Sequence, residues 1–115
     1  ILIILCRLHL QEGGAEKAGQ FFTEALAAAR EAFPEDHPNM GAVHNNLGKL
    51  YVAKGDADKA KDHLEKALSI SEDFFGPDHQ NVAAVLTNLA EAYRLKGMEE
   101  KAQETEERAR KISGP

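Results

Sequence analysis

The chain repeats itself at a fixed interval. The stretch Asn46–Leu47–Gly48–Lys49–Leu50–Tyr51 through Lys54–Gly55 returns 42 positions later as Asn88, Leu89, Tyr93, Lys96 and Gly97, and Lys59–Ala60 returns as Lys101–Ala102. A worn copy stands 42 positions earlier, in Leu5, Leu8, Gly13, Ala15, Lys17 and Ala18. With Asp36–Asp73 laid on Asp78–Pro115, 16 of 38 positions are identical. A unit of this length, repeated at constant spacing, stacks side by side with its neighbours and does not close around a single centre.

Inside each unit the apolar spacing is three and four residues, the period of a helix. Residues 1–12 are expected to be the tail of a first helix whose start is missing, closed by Gly13–Gly14. A second helix is predicted over 15–33, with Ala18, Phe22, Ala25, Leu26 and Ala29 on one face and Pro34 stopping it. A third runs over 38–54, burying Val43, Leu47, Leu50 and Tyr51; Pro38 suits its first turn and Asp36 is the expected N-cap. A fourth follows Gly55 and a capping Asp56 over 57–74, with Ala60, Leu64, Ala67, Leu68 and Phe74 or Phe75 inward. The loop Gly76–Pro77–Asp78–His79 repeats the earlier one, with Asp78 expected to cap. A fifth helix, 80–96, carries Val82, Val85, Leu86, Leu89 and Tyr93. In the sixth, 98–113, the stripe thins to Ala102, Thr105, Ala109 and Ile112, with Glu106 in the place of Leu64 and Phe22. So polar a helix suits a solvent-facing cap.

Composition narrows the function classes. The net charge of −5 disfavours a nucleic-acid surface. The run Ile1–Leu2–Ile3–Ile4–Leu5 is too short to span a bilayer and has no basic lead-in, so no membrane association is expected. Cys6 is the only cysteine, which rules out an internal disulfide and suits a cytoplasmic setting. The leading residue is Ile1, so the chain reads as a piece of a longer or processed one. Its apolar front, with Ile1, Ile3 and Ile4, is expected either to be covered by preceding repeats or to drive homo-oligomer formation.

Leu47–Gly48, Tyr51, Gly55, Ala60, Leu64 and Ala67 resemble the tetratricopeptide repeat (TPR) signature, in which small residues let two helices pack closely. The 42-residue period, the Asn-Asn-Leu-Gly and Thr-Asn-Leu-Ala cores and the Phe-Gly-Pro-Asp-His-Gln loop are similar to the kinesin light chain subtype. The chain departs from that pattern at His9, Cys6 and Glu106. The resemblance implies an all-α fold, a right-handed superhelical α-solenoid of antiparallel helix pairs. It divides the single domain 1–115 into a truncated repeat 1–35 and repeats 36–77 and 78–115.

It also implies a function. In the family the first helix of each pair lines a concave groove, and the asparagine before the Leu-Gly or Leu-Ala pair often meets bound peptide backbone. That role carries over to Asn46 and Asn88; an amide offers an extended peptide both donor and acceptor. Arg7, Lys49 and Arg94 lie near enough in register to receive a carboxylate or an acidic peptide, although a solvated helix surface is the simpler reading of them.

Other chemistry finds no foothold. His37 and His79 recur one period apart without a Cys-x-x-Cys or His-Glu-x-x-His partner, and are most simply loop histidines bonding between repeats. His9, His44 and His63 are scattered through helices and suggest no cluster. Glu104 and Arg108 are spaced to pair along the last helix. No nucleophile–base order, phosphate loop or apolar carboxylate pair is present, so neither catalysis nor a metal or other cofactor is expected. The expected function is a protein–protein interaction module, an adaptor or scaffold that holds a partner's peptide. A structural spacer, or a regulatory region of a larger protein, is the alternative.

Overall fold

The computed structural model describes residues 15–113, with side chains from residue 19 onward. Five α-helices follow one another: α1 (Ala15–Ala32), α2 (Pro38–Lys54), α3 (Ala57–Phe75), α4 (Gln80–Leu95) and α5 (Glu99–Ser113). Their bounds fall within a residue of those the sequence predicts, and no strand occurs among the described residues. The expectations placed on Ile1, Ile3, Ile4, Cys6, Arg7, His9 and Gly13–Gly14, and on the side chain of Ala18, lie outside the described residues.

The stops and starts have local causes that repeat with the sequence. Gly55 and Gly97 take left-handed backbone (φ 80° and 77°), where a side chain would be strained. That geometry lets Asp56 N–H donate to Tyr51 C=O and Met98 N–H to Tyr93 C=O, both at 2.9 Å, so each helix closes with the same bond. Asp56 caps α3 by accepting from Lys59 N–H at 3.3 Å.

The caps of α2 and α4 correct the expectation for Asp36 and Asp78. His37 and His79 occupy those positions, each Nδ1 accepting at 3.0 Å from the backbone N–H of Asn39 or Asn81. Each ring also stacks on the aromatic residue just before the loop, His37 on Phe33 (4.4 Å) and His79 on Phe75 (4.6 Å). The loop bonds His37 N–H to Pro34 C=O and His79 N–H to Gly76 C=O place the ring one residue past the aspartate. Through these bonds and stacks each histidine ties the start of its own repeat to the end of the preceding one, as expected of loop histidines that bond between repeats.

Each helix packs on the next, and α2 also touches α4, skipping the helix between them. That skipped contact is what stacked helix pairs produce. Phe22, Met40, Val43, Leu47, Leu50 and Ile70 fill the space among α1, α2 and α3. Ala60, Leu64, Ala67, Val85, Leu89, Ala90, Tyr93 and Ala102 fill that among α3, α4 and α5. Met40 and Leu64 are fully enclosed, and each such side chain contributes about 1.5–3 kcal/mol by leaving water. Close approach of α2 and α3 depends on Gly48, where a Cβ would lie 2.3 Å from Leu64 Cγ. Of the two phenylalanines expected at the end of α3, Phe75 turns partly inward and Phe74 stays 61% exposed.

Candidate functional site: the cleft between α2 and α4

Because α2 and α4 run alongside each other over the end of α3, they enclose an open cleft of about 330 Å³. Its walls are Asn39, Gly41, Ala42 and Asn45 from α2 and Asn81, Ala84 and Val85 from α4; Ser71 and Phe75 of α3 close the bottom. Small residues keep the cleft open. Ala42 and Ala84 are the small exposed ones, and Gly41 lets α2 approach α3 closely beneath them, where a Cβ would meet Ile70 Cγ2 at 3.1 Å. The walls carry amides and no ionised side chain. Such a surface can exchange hydrogen bonds with uncharged peptide groups, and Phe75 and Val85 offer apolar contact.

One bond ties the two walls together. Asn88 Nδ2 donates to Asn45 Oδ1 at 2.9 Å, joining α4 to α2 beside the cleft. Asn88 is half-buried there, with donor and acceptor capacity left over. Asn46, the other asparagine singled out by sequence, is 8% exposed. Lys49 is exposed on the same helix. Arg94 is already engaged: its guanidinium binds both oxygens of Glu99 (3.1 and 3.2 Å) and also Glu106. Those bonds, Glu106 first, hold the Arg94 pKa above its ordinary value, and Arg94 in turn depresses that of Glu106. The structure thus brings Asn88 to the cleft's edge and gives Arg94 acidic partners, while Arg7 lies outside the described residues.

Sequence reasoning passed over Asn39, Asn45 and Asn81. The first and last of these recur 42 positions apart with no core or catalytic duty, a signal that was available. Asn45 gave no such signal, since its counterpart is Thr87.

On the opposite side of α2, the sequence reading of His44 and His63 is overturned. His44 is completely buried, and its Nδ1 lies 3.0 Å from His63 Nδ1, one ring donating and the other accepting. The rings stack at 5.2 Å, and Tyr51 stacks on His63 at 5.6 Å. His44 Nε2 has no well-formed hydrogen bond; the nearest carboxylate oxygen, Glu35 Oε1, is 3.5 Å away. Burial lowers the pKa of both rings, that of His63 to about 4. Elsewhere, Arg108 pairs with Glu72 of α3 at 2.7 Å instead of the expected Glu104. Among the described residues no group of three or more His, Cys, Asp or Glu is placed to hold a metal ion.

The succession of capped helix pairs and the skipped α2–α4 contact agree with what known proteins show. A tetratricopeptide repeat family model matches residues 1–73 and again residues 50–113. The chain belongs to the tetratricopeptide repeat family. Its fold is the right-handed superhelical α-solenoid of that family. Among solved structures, the kinesin light chain TPR-like repeats of Podosopora anserina superpose with a TM-score of 0.90 at 25% identity, over 97% of this chain and 53% of that one. BtubC (BKLC) from P. vanneervenii superposes with a TM-score of 0.88 at 27% identity, over 97% of this chain and 45% of that one. The TPR chain described here thus spans about half the length of each. No curated protein sequence matches it. TPR repeats in general serve protein–protein interaction, and no described helix of this one is long and apolar enough to cross a membrane.

Proposed function

We propose that this chain is a non-enzymatic interaction module, a cytoplasmic adaptor or scaffold that holds an extended peptide segment of a partner protein in the cleft between α2 and α4. The observation that carries this is the cleft's lining: Asn39, Asn45 and Asn81 on walls that otherwise carry the small Gly41, Ala42 and Ala84, above a Phe75 floor. Amide side chains recognise peptide backbone in either direction, so affinity comes from main-chain bonds and selectivity from the apolar floor. Asn88 contributes from the rim. Lys49 and Arg94 engage acidic groups of the segment, Arg94 by exchanging Glu99 or Glu106 for them; the buried Asn46, and Arg7 outside the described residues, are proposed as further peptide contacts by family resemblance alone. A similar fold in the kinesin light chain repeats supports the architecture this needs.

Screening the chain against an array of linear peptides tests the proposal. Ala42 and Ala84 are both exposed on the cleft wall, so Ala42→Trp and Ala84→Trp fill it without entering the core. Captured peptides should lose at least about tenfold in affinity for either variant, with the melting temperature unchanged. Peptides that bind both variants as tightly as the native chain would contradict the proposal.

A further inference from the structure

The contact between His44 and His63 has no counterpart one repeat later, where Leu86 and Thr105 stand in the same places. Leu86 is as well buried as His44, so the site itself favours an apolar residue. A histidine there is a costly choice for packing alone: a polar ring is buried and its Nε2 is left without a proper partner. We propose that the His44–His63 contact is an acid-sensitive latch between α2 and α3, closed while both rings are neutral and loosened when they take up protons.

Geometry gives the latch its two steps. In the neutral pair one Nδ1–H donates to the bare Nδ1 of the other ring. Glu35 Oε1 near His44 Nε2 favours the proton on that nitrogen, which leaves His44 Nδ1 to accept and His63 Nδ1 to donate. A first added proton goes to His63 Nε2; the bond survives, but a charge now sits in a half-buried stack against Tyr51. A second would put N–H groups on both Nδ1 atoms, 3.0 Å apart and pointing at each other, and the contact must then open.

The charged surroundings oppose the first step on balance. Arg30 of α1 and Lys66 of α3 disfavour a cation on either ring, while Asp62 of α3 favours one on His63 and Glu35 of the preceding loop favours one on His44. Asp36 and Asp73 line the small cleft that His44 faces, with Glu35, Lys66, Ser69 and Ile70. Lys54 and Lys59 lie over Tyr51, the ring behind His63. Desolvation is the largest influence on both histidines and lowers their pKa values, that of His63 from 6.5 to about 4. The unfolded chain therefore takes up these protons more readily than the folded one. Stability is intact above about pH 6.5 and drains away as the pH falls towards about 4.

The latch does not depend on whether the cleft has a ligand. It does bear on α2, whose Asn39 and Asn45 stand in the cleft wall.

The test compares the native chain with the variant carrying His44→Leu and His63→Thr, the residues of the next repeat. Urea unfolding is followed at about pH 7.5 and about pH 5. The folding equilibrium constant of the native chain should fall about tenfold more across that interval than the variant's, after allowance for the partial exposure of His63. An equal fall in both overturns the proposal. Should the variant fail to fold, a titration of the native histidine ring protons by NMR decides: midpoints well below 6.5 for His44 and His63 support the latch, and midpoints at the ordinary value overturn it.

Discussion

In the pair α2–α3, Leu64 is fully buried and lies so close to α2 that only glycine fits at position 48. In the pair α4–α5 the same two places hold Glu106 and Ala90. The exchange brings a third with it. Val52, half-buried in the earlier pair, becomes Arg94, which binds Glu106. One pair is thus closed by an apolar side chain inserted between helices, the other partly by an ion pair on its rim. What stays constant is the frame: a histidine cap, a left-handed glycine, and a lysine over the tyrosine ring (Lys59 on Tyr51 at 5.6 Å, Lys101 on Tyr93 at 5.2 Å). A repeat can therefore change the chemistry between its helices so long as its ends and its small residues are kept.

The contrast is sharpest at Leu64. Leu64→Ala should cost about 2–5 kcal/mol, because the cavity it leaves is walled by both α2 and α4. A negligible shift of the urea midpoint would remove Leu64 from the core. Gly48→Ala comes next, at about 1–3 kcal/mol, since the new Cβ displaces the Leu64 side chain and outweighs the gain in helix propensity of about 1 kcal/mol. In the Leu64→Ala background the same change should be neutral or stabilising, and a double-mutant cycle reads that reversal directly.

Smaller effects probe the shared frame. His37→Ala and His79→Ala should each cost about 1 kcal/mol and cost the same, because cap and ring stack recur in both loops. Unequal melting temperatures would show that the two loops are not equivalent. The least effect is expected from Glu106→Gln. Its pair with Arg94 is solvent-facing, so the change should be minor at low salt and vanish at high salt.

Most of the fold is written in the sequence because helices, their glycine stops and the period are local or strictly repeated features. The caps were less legible. Aspartate is the usual choice by propensity, but the loop bond to Pro34 and the Phe33 ring put His37 at the cap instead. The cleft was legible in part. The period pairs Asn46 with Asn88, whereas the bond that forms is between Asn88 and Asn45, a separation of 43 that the repeat does not spell. The His44–His63 pair was not legible at all. It joins two helices across 19 residues and occurs in one repeat only, so neither helical spacing nor the period points to it.

Native-state hydrogen exchange resolved by residue tests the contrast between the two pairs most directly, since it reports how much of the structure must open to expose each amide. The amides of α3 around Leu64 should exchange only through near-global unfolding, and those of α5 around Glu106 through a smaller, salt-sensitive opening. Equal protection in α3 and α5, or greater protection in α5, would contradict the account.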